Sequence, residues 1–260
     1  MKIAFDFGRA SGDYGRHRQG FPEAFFARLA TLGIGGAGRR ALDLGTGTGT
    51  VARGLALGGA SVTGLDPSLN MLSEGRRLDG EAGVHVSRVV ARAEAPPFRD
   101  RAFDVVTAGQ CWHWFDRARA AAEARRVLVP GGRLVVAHFD WIPLPGNVVD
   151  ATETLVHRHN AAWTFRGGHG IYPVWLRDAA EAGFRDLETF SFDVDVPYSH
   201  EGWRGRIRAS AGVGPSLAPD AVAAFDADHA AMLARDFPRE PLAVPHRVWA
   251  LVARAPARNA

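Results

Sequence analysis

The chain has 260 residues, 47% of them apolar, enough to bury one large core, or a core carrying a sizeable insertion, without metals or disulfides. Its 31 basic and 28 acidic side chains nearly cancel, the basic ones are arginine apart from Lys2, and no run of like charges forms a nucleic-acid arm. Cys111 is the single cysteine, which excludes an internal disulfide; with no apolar run fit for a signal peptide or a membrane span, a cytoplasmic protein is expected.

In chain order, a polar segment that includes Tyr14 and Arg18 precedes a helix expected over Phe21–Leu32. From residue 39 to 140, short apolar runs alternate with helical patterns, which predicts βαβ units and a parallel sheet. Strands are expected at Ala41–Leu44, Ser61–Leu65, Val84–Val90, Phe103–Thr107 and Arg133–Phe139. Helices are expected at Val51–Leu57, from Asp66-Pro67 to Arg77, and at Arg117–Leu128, the last stopped by Pro130-Gly131-Gly132. Residues 141–173 break the rhythm with prolines, glycines and a helical stretch near Val149–Asn160, an insertion expected over the carboxyl edge of the sheet. A helix at Val174–Ala182, a strand at Phe184–Val196, an irregular stretch at Pro197–Pro215, a helix at Pro219–Arg235 and a strand at Val248–Ala253 complete the chain.

The first strand delivers Asp43-Leu-Gly45-Thr-Gly47-Thr-Gly49 into a helix N-terminus, where backbone N–H groups approach a ligand closely. Asp66 stands at the tip of the next strand, where a carboxylate accepts the ribose hydroxyls of an adenosine cofactor; the alternative is that Asp66 merely caps its helix. A nicotinamide dinucleotide site wants its third glycine at 50, which is Thr50. A carboxylate at 43 suits a cationic ligand better than a pyrophosphate, which favours S-adenosyl-L-methionine.

These residues resemble the class I S-adenosylmethionine-dependent methyltransferases, in particular small-molecule enzymes with a core like that of ubiquinone biosynthesis. The resemblance rests on Leu42–Gly49, Gly64-Leu-Asp-Pro-Ser-Leu-Asn-Met-Leu72, Ala93-Glu94 with Pro96-Pro-Phe98, Phe103–Val106 through Trp112–Phe115, and Arg126–Leu134. It implies a doubly wound α/β fold of about seven mostly parallel strands, the final one antiparallel, as a single domain over 1–260. The cofactor core would span about 39–140, and residues 1–35, 141–173 and 197–240 would cover the site. It implies that Gly45, Thr46 and Gly47 face the methionine part, that Asp66 binds ribose and that Pro67 or Met71 flanks adenine. Glu94 would lie near the adenine amino group with Ala93 giving a backbone donor, and Gly109 and Gln110 would line the methionine side. Tyr14 and Arg18 would close over the cofactor, Arg18 pairing with its carboxylate.

Gln110-Cys-Trp-His-Trp-Phe115 sits on the rim where open α/β sheets place ligands. His113 there is read as a base for an acceptor proton, against the plainer reading of a ring wedged between aromatics. A pyrimidine-C5 mechanism would want Pro before Cys111, where Gln110 stands, so nucleobase methylation is disfavoured. Trp141, His157, His159, Trp163, Phe165, His169, Tyr172, Tyr198, His200 and Trp203 offer an aromatic chamber for a small-molecule methyl acceptor. The histidines lack carboxylates at metal-site spacing, so no metal is expected, and Arg204, Arg206 and Arg208 read as a solvated face rather than contacts to an acidic substrate. Neither nucleic acid nor membrane is expected as a partner. The expected function is methyl transfer to a small organic molecule of specialised metabolism. The alternative is a cofactor-binding protein of the same fold that performs other chemistry or only binds.

Overall fold

The computed structural model describes residues 20–257. Helix α1 (Glu23–Thr31) leads to β1 (Arg40–Leu44), α2 (Thr50–Leu57), β2 (Ser61–Asp66), α3 (Leu69–Glu81), β3 (Val86–Val90) and β4 (Phe103–Gly109). A single 3-10 turn at Trp112–Trp114 precedes α4 (Arg117–Val127) and β5 (Leu128–Trp141). Then come α5 (Val148–His159), α6 (Val174–Glu181), β6 (Arg185–Tyr198), α7 (His200–Arg208), α8 (Pro219–Asp236) and β7 (Leu242–Arg254).

The described strands form one seven-stranded sheet in the order β3-β2-β1-β4-β5-β7-β6. The first five pair in parallel, and β1 and β4 are buried along nearly their whole length, as strands covered on both faces must be. Strand β7 runs antiparallel to β5: Gly131 and Gly132 bond Ala255 at one end, and Ile142 bonds Pro245 at the other. Ion pairs Arg247–Asp193 and Arg254–Asp186 set β6 antiparallel to β7 and place charge along the outer strand, which discourages pairing with another chain. The expected doubly wound α/β sheet with an antiparallel final strand is the one observed.

The sequence order reverses between β1 and β4, the place where open α/β sheets bind ligands outside their carboxyl ends. The chain divides into two compact units. In described residues, one comprises 20–139, 172–192 and 248–257, and the other 140–171 and 193–247. The core of the first is packed from Leu42, Leu44, Val106, Trp112, Leu134, Trp175 and Leu251, among others. In the second, Trp203 Nε1 donates to Thr152 Oγ1 at 3.0 Å, and the same hydroxyl meets His229 Nε2 at 3.2 Å. Phe225, His229, Met232 and Leu233 form the buried stripe of α8.

Three expectations are corrected. Helix α3 begins at Leu69, not at Pro67: the Ser68 hydroxyl accepts from Met71 N–H and is its cap, while the Asp66 carboxylate is bonded elsewhere. The Pro130-Gly131-Gly132 stop lies inside β5, because a register shift opposite Phe103–Val105 absorbs it and Gly131 and Gly132 bond Ala255. The irregular stretch after Pro197 holds α7, capped by Ser199 and packed through Trp203 and Ile207 one turn apart; its two glycines mask that stripe in the sequence. No helix among the described residues is long and apolar enough to cross a membrane.

Candidate active site

The turn after β1 is tied to β2 by its own backbone. Thr46 N–H donates to Leu65 O at 2.9 Å, and Gly47 N–H donates to Asp66 Oδ2 at 2.9 Å. Asp66 Oδ1 accepts from Ser68 N–H at 2.8 Å, so the half-buried carboxylate bridges the glycine turn and the entry to α3. Each carboxylate oxygen has one acceptor position left, a fit for the paired hydroxyls of a ribose. Pro67 is exposed beside it, and the Met71 methyl lies 3.2 Å from where a side chain on Gly47 would begin.

Gly45 has φ +60°, and a Cβ there would fall 2.9 Å from both Cys111 Sγ and the Phe115 ring. Its missing side chain lets Cys111 and Phe115 pack directly against the turn above the β1 tip. Gly45→Ala is expected to cost about 1–2 kcal/mol from the left-handed backbone and the overpacking. A denaturant melt checks this; an unchanged midpoint would mean that the neighbours yield freely.

Asp43 is buried beneath this turn, accepting from the Thr107 hydroxyl at 2.6 Å, with Thr46 and the Ala52 N–H at the start of α2 beside it. Burial pushes its carboxyl up to about 6 despite these polar neighbours. The folded protein therefore favours the protonated acid, and the penalty for ionisation grows as pH rises from about 4 through 6. Asp43→Asn is expected to gain about 1–2 kcal/mol at pH 8 and nothing at pH 4, after the new amide N–H groups find partners. Unfolding midpoints at the two pH values check this; equal changes at both would sink it.

Across the switch point, Gly109 ends β4, where a Cβ would collide with Val51, and Gln110 follows with φ +63°. Gln110 N–H bonds Ala137 O at 2.8 Å, and its side-chain amide donates to Phe139 O. Glu94 is buried and accepts from Asp116 N–H at 3.0 Å, with Arg92 3.4 Å from its other oxygen; Ala93 beside it is also buried. His113 is exposed on the 3-10 turn, its ring 4.4 Å from Trp114 and 5.2 Å from buried His138. Trp112 is core, its indole N–H bonded to Asp178 at 3.0 Å. Tyr14 and Arg18 lie outside the described residues.

A family model described as a methyltransferase domain matches residues 42–136. An uncharacterized methyltransferase of Mycobacterium tuberculosis is 33% identical over 181 residues, which cover 62% of this chain and 71% of that relative. The chain belongs to the class I S-adenosylmethionine-dependent methyltransferases. This methyltransferase is also 44% identical over 115 residues to the demethylmenaquinone methyltransferase of Thermus thermophilus, spanning 43% of this chain and 52% of that one. A solved structure from Anaeromyxobacter dehalogenans, described as a type II methyltransferase, matches with TM-score 0.63 over 93% of this chain and 99% of that chain. At 24% identity that likeness shows the fold alone.

The sequence reading of this methyltransferase missed Arg88. It is buried under the glycine turn, with Nη2 2.6 Å from Asp79 Oδ2 and Nη1 3.5 Å from Gly47 O. A Cβ on Gly49 or Gly75 would run into its guanidinium. Gly75 was the available signal: a glycine inside a helix is unfavourable by about 1 kcal/mol, so it marks a close neighbour. The chamber residues also sort differently from one another. Trp203 is fully buried, His159 binds Asp228 at 2.9 Å, and His200 Nε2–H donates to Phe237 O at 2.9 Å, whereas Phe165 is exposed.

Proposed function

We propose that this methyltransferase binds S-adenosyl-L-methionine at the turn between β1 and Asp66 and passes its methyl group to a small organic acceptor in the cytoplasm. The observation that carries the reading is the Asp66 carboxylate, held by Gly47 and Ser68 N–H with two acceptor positions free. Bound there, the cofactor supplies an electrophilic methyl on a sulfonium whose thioether leaves without an acid.

In this reading Asp66 accepts the ribose hydroxyls, Gly45, Thr46 and Gly47 face the methionine part, and Gly109 and Gln110 line its far side. Pro67 or Met71 flanks the adenine, with the Ala93 backbone and Glu94 toward its amino group. Asp43 acts through space on the ligand's positive charge, since it is enclosed by Thr107, Thr46 and α2. In the same reading His113, exposed on the 3-10 turn, is the base for a phenol or carbon acid, while amine or carboxylate acceptors need no base. The protein's larger contribution is alignment and exclusion of water.

Calorimetry is expected to show S-adenosylmethionine binding, and an acceptor screen with labelled methyl donor to release S-adenosylhomocysteine with one class of small molecule. Binding of NADH in place of the methyl donor would overturn the proposal. Donor binding with no turnover across a broad panel would favour a protein that only binds the cofactor.

A further inference from the structure

Helix α7 carries three arginines, and they are not equivalent. Arg204 and Arg208 lie one turn apart on the same face of the helix. Both pair with Asp226 of α8, Arg208 at 2.8 Å, and each also reaches Glu201, at 3.1 and 2.8 Å. Arg206 projects from the other side of the helix, and its guanidinium lies 4.6 Å over the Trp141 ring. No carboxylate of the described residues comes within ion-pair distance of it. Its polar neighbours are the Tyr198 hydroxyl and the charge of Asp140.

The platform is itself fixed. Trp141 Nε1 donates to Glu153 Oε1 at 2.8 Å, Glu153 Oε2 accepts from Gly167 N–H at 2.8 Å, and Trp203 packs edge-on against the Trp141 ring. Arg206 is half-buried; a guanidinium partly withdrawn from water without a paired anion is unfavourable, and contact with an indole returns only about 1–2 kcal/mol. A guanidinium lying over a ring face turns its in-plane N–H groups away from the ring, toward other acceptors. A flat fork of N–H groups on a rigid aromatic base suits bidentate capture of a carboxylate.

We propose that Arg206 anchors an oxyanion site within the unit of residues 140–171 and 193–247, and that its ligand is a small organic carboxylate. The structure gives the flanking arginines ion-pair roles with Asp226 and Glu201, so Arg206 alone of the three carries this role. The proposal does not depend on the methyl-transfer reading, because its test contains no methyl donor.

The test uses the full chain with benzoate as probe, benzamide as the uncharged control and inorganic phosphate as the alternative oxyanion, followed by tryptophan fluorescence and thermal melting. Benzoate is expected to quench fluorescence and raise the melting midpoint, benzamide to do neither, and Arg206→Met to weaken benzoate at least about tenfold. Arg206→Lys should retain part of the binding, since it keeps the charge and loses the fork. Without ligand, Arg206→Met should melt at or above the parent midpoint, because a half-buried charge with no carboxylate partner has gone. Benzoate binding unchanged in Arg206→Met would overturn the proposal. So would binding of phosphate but not benzoate, or a lowered ligand-free midpoint in Arg206→Met with no benzoate response in the parent, which would make Arg206 a packing residue.

Discussion

Asp66→Ala is expected to weaken S-adenosylmethionine binding by about 10²–10³-fold, the loss of two hydrogen bonds to a charged acceptor at about 1.5–2 kcal/mol each. The carboxylate does two things at once. It accepts from Gly47 and Ser68 N–H, which fixes the turn, and it keeps an acceptor position on each oxygen for the ligand. Burial raises its pKa above the ordinary carboxylate value, and the two backbone N–H groups and the Arg88 charge work against that rise. Truncation also frees two backbone donors, so the ligand-free protein should soften locally around residues 45–68. Asp66→Asn keeps the shape and one acceptor oxygen and should fall between the parent and the alanine variant. Calorimetry on the three proteins checks the order; normal binding by Asp66→Ala would remove the ribose role and with it the main support for the cofactor site.

Acid is expected to unfold the unit of residues 140–171 and 193–247 before the other. His229 and His246 are buried there, and burial lowers each to about 4. His229 shares a hydroxyl with Trp203 through Thr152, and His246 Nδ1–H donates to Val244 O at 2.9 Å, so both are held neutral. A lowered histidine contributes stability that is complete above its ordinary value near 6.5 and is lost as pH falls toward 4. Each contributes about 3 kcal/mol over that window, partly offset by Glu153, whose carboxyl burial raises. The other unit trends oppositely, because Asp43 and Asp66 are raised and gain from acid. The melting midpoint should therefore fall on the order of 10 °C between pH 6.5 and 4.5, with amide protection lost first in α5 and α8. The His229→Gln/His246→Gln variant should flatten this dependence. An equal slope in parent and variant would show that other groups control the acid transition.

The parts of the fold that were legible in the sequence are those where local chemistry and tertiary packing agree. β1, β2 and β4 are apolar runs buried on both faces, and the turn after β1 announces itself by alternate glycines. Asp66 was readable because its spacing from Gly45 places it at a strand tip. Where packing overrides local signals, reading failed. Pro130-Gly131-Gly132 looks like a break until Ala255, more than a hundred residues away, bonds it into the sheet. Gly202 and Gly205 suggest a loop, yet Trp203 and Ile207 bury one face and make it a helix. Arg206 read as one of three solvated charges, and only the positions of Asp226 and Glu201 separate it from its neighbours.

The buried arginine beneath the glycine turn links positions that share no local motif. Gly49 lies in the turn and Gly75 in mid-helix, and each leaves space that the Arg88 side chain fills before it reaches Asp79 and Gly47 O. The three residues are therefore one steric solution split across a turn, a helix and a strand. Drift at either glycine would be tolerated only after the arginine had shortened, and a shorter residue would strand Asp79 with Arg53 as its remaining partner. Exchange of this turn between homologous enzymes would have to carry all three positions together, as a single inherited cassette.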